Sequence, residues 1–103
     1  MSGYYVLHGR KAVEAESLQG WSSWFFQADR EIARTRLANG ASVTTEFVGV
    51  DHRAPGETGA PLLFETRTFD PDWGNVSRRR YATWSEAKAG HRQEVRRRGD
   101  RSD

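Results

Sequence analysis

Residues 42–69, SVTTEFVGVDHRAPGETGAPLLFETRTF, constrain this chain more than any other segment. Val43, Thr45 and Phe47 alternate with Thr44, Glu46, Val48 and Val50, the period-two pattern of a strand with two unlike faces. A loop over 52–60 follows, carrying Pro55, Gly56 and Gly59. Pro61 then opens a second run, with Leu62 and Phe64 on one face and Leu63, Glu65, Arg67 and Phe69 on the other. Sequential strands joined in this way pair most simply as neighbours at the centre of a small sheet. Asp51 and His52 stand where the first strand ends, a junction at which polar side chains are held by the scaffold yet open to a ligand.

The flanks extend the same pattern. Asn39-Gly40 between the runs 32–38 and 41–50 predicts a hairpin, and the type I′ turn suits it because that turn needs φ > 0 at both central positions. A loop over 70–75, with Pro71, Asp72 and Gly74, leads to a fourth strand over 76–82 that carries Arg78, Arg79 and Arg80. Upstream, 4–7 and 11–13 read as short strands about a turn at His8-Gly9-Arg10. Ser17 can cap a helix over 18–28, on which Leu18, Trp21, Phe25 and Ala28 recur at helical spacing beside Trp24. Thr83-Trp84-Ser85-Glu86 is a capping box for a helix over 84–97 that puts Trp84, Ala87, His91 and Val95 on one face. Gly90 costs that helix about 1 kcal/mol against Ala, unless a neighbouring group needs the space.

The order β-β-α-β-β-β-β-α predicts an α+β fold: a four-stranded or slightly larger antiparallel meander sheet with two helices packed on one face. With 103 residues, 36% of them hydrophobic and 12% aromatic, the chain has apolar bulk for one domain, taken as 1–98, with 99–103 as a frayed tail. The absence of cysteine excludes disulfides, thiolate zinc sites and a Cys nucleophile. No apolar run reaches spanning length and MSGYYVLHGRK has no signal-peptide core, so a soluble, cytoplasmic protein without a membrane partner is expected.

Charge is distributed unevenly. Residues 1–75 hold seven basic and ten acidic side chains, a net of −3, whereas 76–103 hold nine and four, a net of +5. Fourteen of the sixteen basic residues are Arg, which codon usage can explain but which also suits bidentate contacts to phosphate or carboxylate. On a strand, Arg78 and Arg80 point one way and Arg79 the other. Trp73, in a loop, is placed to anchor a partner or stack on a base, and Tyr81 adjoins the arginines. The candidate ligand-binding set is therefore Asp51, His52, Trp73, Arg78, Arg80 and Tyr81.

Plain structural roles compete with each of these. Asp51 can cap its loop, with His52 lying exposed. Glu65 can pair with Arg67 or with a cross-strand Arg79 or Arg80, and His91 can be a packed, hydrogen-bonded core histidine. Asp51 and His52 point to opposite faces unless the strand has ended, and no HxH, HExxH or GxSxG pattern supports metal or nucleophilic chemistry. No metal or other cofactor is expected. No helix-turn-helix, RNP1 or zinc-finger pattern is present, and a net charge of +2 argues against tight non-specific duplex binding.

From Val43 onward the chain resembles a family of small uncharacterised proteins of tailed bacteriophages and prophages. The resemblance rests on VTTEFVGVDH (43–52), PLLFET (61–66), RYATWSEA (80–87) and Gly90-His91, with a weaker part in WSSWFFQADREIAR (21–34). It departs from the family at Thr68-Phe69-Asp70-Pro71, where other members have a Gly-Gly turn. The resemblance implies a phage accessory role in the host cytoplasm. With the arginines and Trp73, it leads to the expectation of a protein that binds an anionic partner. That partner would be a nucleotide-like defence signal, an acidic host protein surface or single-stranded nucleic acid. A small metal-dependent nuclease or phosphohydrolase using Asp51, His52 and Glu65 is the alternative, and a minor virion or assembly protein a third. The free sheet edge and the aromatic supply leave room for a homodimer or higher homo-oligomer.

Overall fold

The computed structural model describes residues 3–99. The element order is β1 (Tyr5–His8), β2 (Lys11–Glu14), α1 (Leu18–Gln27), β3 (Glu31–Arg36), β4 (Ser42–Phe47), β5 (Phe64–Asp70), β6 (Gly74–Tyr81) and α2 (Trp84–Gly99). Strands β3-β4-β5-β6 form the expected antiparallel meander, and β1-β2 form a separate two-stranded hairpin. The fold is the α+β arrangement that the sequence predicts. Gly99 closes α2, and residues 100–103 of the expected tail lie outside the described residues.

Register follows the alternation of the sequence. Phe47 stands opposite Phe64, Thr45 opposite Thr66 and Val43 opposite Thr68, and this face of the sheet is covered by α2. Glu46 opposite Glu65 and Thr44 opposite Arg67 point to the other, open face. The apolar core sits at one end of the covered face, where Phe47, Leu63, Phe64 and Ala87 are buried. Trp24 of α1 meets Phe47 edge-on at 5.7 Å, and Trp84 meets Phe64 at 6.5 Å, so both helices and the β1-β2 hairpin share this core. Replacing either Phe with Ala would cost about 3–5 kcal/mol.

Both helix starts are capped as the sequence indicates. The Ser17 side chain accepts from the Gly20 N–H, and Thr83 Oγ1 accepts from the Glu86 N–H while Glu86 Oε1 accepts from the Thr83 N–H. The Asn39-Gly40 hairpin differs from expectation. No non-glycine residue has positive φ among the described residues, which rules out the type I′ turn at Asn39. Instead the Leu37 N–H donates to the Ala41 carbonyl and the Gly40 N–H to the Leu37 carbonyl. This is a three-residue loop whose last position, Gly40 at φ 91°, takes the left-handed conformation. Asn39 contributes through its side chain, accepting from the Ala41 N–H.

The two hairpin turns lie together at one end of the sheet, with Pro71 beside Gly40. The long connection over 48–63 lies at the other end. Gly49 anchors that end: its carbonyl accepts from the Tyr5 N–H at 2.8 Å and from Trp21 Nε1 at 3.2 Å. A Cβ at this position would press on both of those partners, at a φ of 74° that favours glycine.

Candidate functional site

The six residues singled out in the sequence do not form one site. Asp51 and His52 lie at the long-connection end and Trp73 at the hairpin end, separated by roughly the length of β5, about 20 Å at ~3.3 Å per residue. Asp51 works as a loop staple. Its Oδ1 accepts from the backbone N–H groups of Arg53 and Leu62, and its Oδ2 accepts from Arg53 Nε at 2.9 Å. The Arg53 side chain, aided by these backbone bonds, lowers the Asp51 carboxyl to about 2 against the opposing effect of burial. His52 Nδ1 donates to the Val50 carbonyl. Arg53, which also reaches the Gly59 carbonyl, holds the loop from its other side.

Arg78 and Arg80 share the open face, as strand alternation requires, and both are drawn to Glu65. Glu65 is only 6% exposed and meets Arg80 Nε at 3.1 Å, Arg67 Nε at 3.4 Å and Arg78 Nε at 3.7 Å. Arg67 also pairs with Glu46, which in turn holds Arg30. The open face thus carries a continuous ladder of ion pairs in which four arginines share two carboxylates. Arg79 is on the covered face beside Gln93 of α2, so Arg80 and not Arg79 is the cross-strand partner of Glu65. Tyr81 is also on the covered face, with its ring against Gly90 of α2. Trp73 is 81% exposed at the β5–β6 turn.

Arginines with no carboxylate partner at all among the described residues cluster elsewhere. Below the aromatic core, the interface between α2 and the sheet becomes polar. His91, 6% exposed, has Nδ1 2.8 Å from Thr45 Oγ1 and Nε2 2.9 Å from Thr35 Oγ1, and the Thr45 and Thr66 hydroxyls bond to each other. One turn on, the fully buried Glu94 accepts from Thr68 Oγ1 at 2.8 Å and from Arg98 Nε at 2.9 Å. Burial, helped by the charge of Lys88, pushes the His91 imidazole below its ordinary value. Burial alone would raise the Glu94 carboxyl, but the hydrogen bonds from Arg98 and Thr68 outweigh it and the carboxyl stays ionised below its ordinary value.

Where α2 runs past the end of edge strand β3, a cleft of about 1120 Å³ opens against this polar layer. Residues 35–39 supply one wall; His91, Arg92, Val95, Arg96 and Arg98 supply the other. Leu37 and Val95 give it an apolar side, Thr35 and His91 a polar one, and four arginines surround it with no acidic side chain in its lining. Arg98 is committed to Glu94. Among the described residues, Arg36, Arg92 and Arg96 have no carboxylate within ion-pair distance. Trp73 is at the same end of the sheet but is not part of the lining.

Sequence reasoning did not find this cleft. Arg92 and Arg96 stood out only as members of a basic run, and nothing in the local pattern showed that Thr35 and Leu37 would face them. The i, i+4 spacing of Arg92 and Arg96 was the one available signal, since it places both on one side of a helix. Among the described residues, no group of three His, Cys, Asp or Glu side chains could hold a metal ion, and no helix is long and apolar enough to cross a membrane. Comparison with known proteins gives no match, whether to family models, curated sequences or solved structures.

Proposed function

We propose that this chain acts by binding rather than by catalysis, as an accessory protein of phage type whose partner is a small anion, with a nucleotide as the best fit. The observation that carries the reading is the β3–α2 cleft, in which Arg36, Arg92 and Arg96 have no carboxylate partner among the described residues and lie beside the apolar Leu37 and Val95. Arginines in this state suit phosphate oxygens, and the apolar side suits a flat organic group. The three arginines of α2's last turn also offset the helix dipole, but Arg92 lies outside that turn and Arg36 on another element. The phage context rests on the sequence resemblance alone.

The metal-dependent alternative has less support. Asp51 is taken up by Arg53 and the Leu62 N–H, and Glu65 by three arginines. Calorimetric titration with nucleoside mono-, di- and triphosphates tests the proposal. Binding should occur without added metal, weaken with salt, and be lost in the Arg92→Ala/Arg96→Ala double variant. Metal-dependent turnover, or binding unaffected by the double variant, would contradict it.

A further inference from the structure

The hydrogen bonds behind the cleft have a direction, and that direction bears on what the cleft accepts. The Thr35, Thr45 and Thr66 hydroxyls each carry one proton, and neutral His91 carries one N–H. The chain Thr66–Thr45–His91–Thr35 can therefore run only one way at a time. When Thr45 donates to Nδ1, the Nε2–H donates to Thr35, and the Thr35 proton is free. Thr35 lines the cleft, so that proton is available to an acceptor placed there. When Thr35 donates inward to Nε2, the order reverses and Thr35 has only lone pairs to offer.

A doubly protonated ring satisfies the same geometry. It donates to Thr35 and to Thr45, Thr45 donates on to Thr66, and Thr35 donates to the occupant of the cleft, so no hydrogen bond is lost on protonation. Burial opposes the imidazolium in the empty cleft, and so do the surrounding cations. The charged groups near it are Lys88, Arg92, Glu94 and Arg98 on α2, Arg36 on β3, and Arg79 on the covered face of β6; β4 and β5 present threonine hydroxyls. An anion among the arginines removes part of the cationic opposition.

Resting on the anion-binding reading above, we infer that the cleft holds its anion through the Thr35 hydroxyl, and that His91 behind it is a positioning residue which takes a proton from solvent as the anion binds. The ligand class that follows is a hydrogen-bond acceptor with negative charge, such as a phosphate oxygen. A cation or a donor-only group would leave the chain in its other direction, facing uncompensated arginines.

The test uses cyclic UMP, whose phosphodiester keeps one charge throughout the working pH range. Its affinity should rise severalfold as pH falls from about 8 to about 5.5, approaching about tenfold below the ligand-free value of the ring if binding raises that value by one unit. NMR titration should show the His91 ring gaining its proton at higher pH when the ligand is present. Thr35→Ser should keep the pH slope, and Thr35→Val, which removes the hydroxyl at similar volume, should flatten it. A flat profile in the parent chain, or an unchanged slope in folded Thr35→Val, overturns the inference while leaving anion binding intact. No binding of any nucleotide at any pH overturns both readings.

Discussion

The Tyr81 side chain fills the space that a side chain at position 90 would need: a Cβ built on Gly90 overlaps the Tyr81 hydroxyl and the ring carbons beside it. This close approach seats α2 on β6 and explains a glycine in the interior of a 16-residue helix. Gly90→Ala should therefore destabilise the protein by about 1–3 kcal/mol in chemical denaturation, despite a helix-propensity gain of about 1 kcal/mol. The Tyr81 hydroxyl is buried and has no hydrogen-bond partner among the described residues. Tyr81→Phe should accordingly leave stability unchanged or raise it by about 1 kcal/mol. A stabilised Gly90→Ala variant would contradict this packing.

Glu94 is a fully buried carboxylate whose charge is balanced by Arg98 and a hydroxyl. Removing it leaves Arg98, itself only 23% exposed, without its partner. Glu94→Ala should cost about 3–5 kcal/mol, and a double-mutant cycle with Arg98→Ala should show strong coupling. Additive effects in that cycle would mean that the pair does not act as a unit.

The same layer sets a pH dependence. Because the folded-state pKa of His91 lies below its ordinary 6.5, the unfolded chain binds this proton more readily than the folded one. The stabilising contribution is complete above 6.5 and is lost as pH falls below it. Unfolding free energy measured against pH without ligand should decline through that window, and His91→Gln should remove this part of the decline. A rise in stability on acidification there would contradict a neutral, buried His91.

Asp51 acts in the same direction at lower pH, because its folded-state pKa is also depressed. Its contribution is present above the ordinary value of 3.8 and is lost only as pH falls toward about 2. Asp51→Ala should loosen the 52–61 loop, seen as faster proteolysis and amide exchange there. The melting temperature should shift by only a few degrees, since the loop adds nothing to the apolar core. Unchanged protection of the loop would show that Arg53 and the backbone hold it unaided.

Much of the fold was legible because local signals agreed. The alternation of 43–47 fixed which face of β4 is covered, and the Thr83–Glu86 box set the start of α2 to the residue. His91 is the hydrogen-bonded core histidine that its place on the helix stripe suggests, and Asp51 is the loop cap. Glu94 was missed, because a charged residue reads as solvent-facing until its partner is known, and Arg98 and Thr68 become its partners only in the folded chain. The cleft was illegible for a similar reason: Thr35 and Arg96 are distant in sequence, and only the packing of α2 across the sheet brings their walls together. Arg78 and Arg80 were correctly assigned to one face, but Glu65, which pairs with both, drew attention as a separate candidate.

The proposed anion site lies between β3 and α2 and not on the open sheet face. Backbone amide shift mapping by NMR during titration with a nucleoside diphosphate tests this placement most directly. Saturable changes should concentrate at 35–39 and 91–99, with Arg67, Arg78 and Arg80 little affected. Changes centred on those three open-face arginines, or none at any ligand concentration, would contradict it.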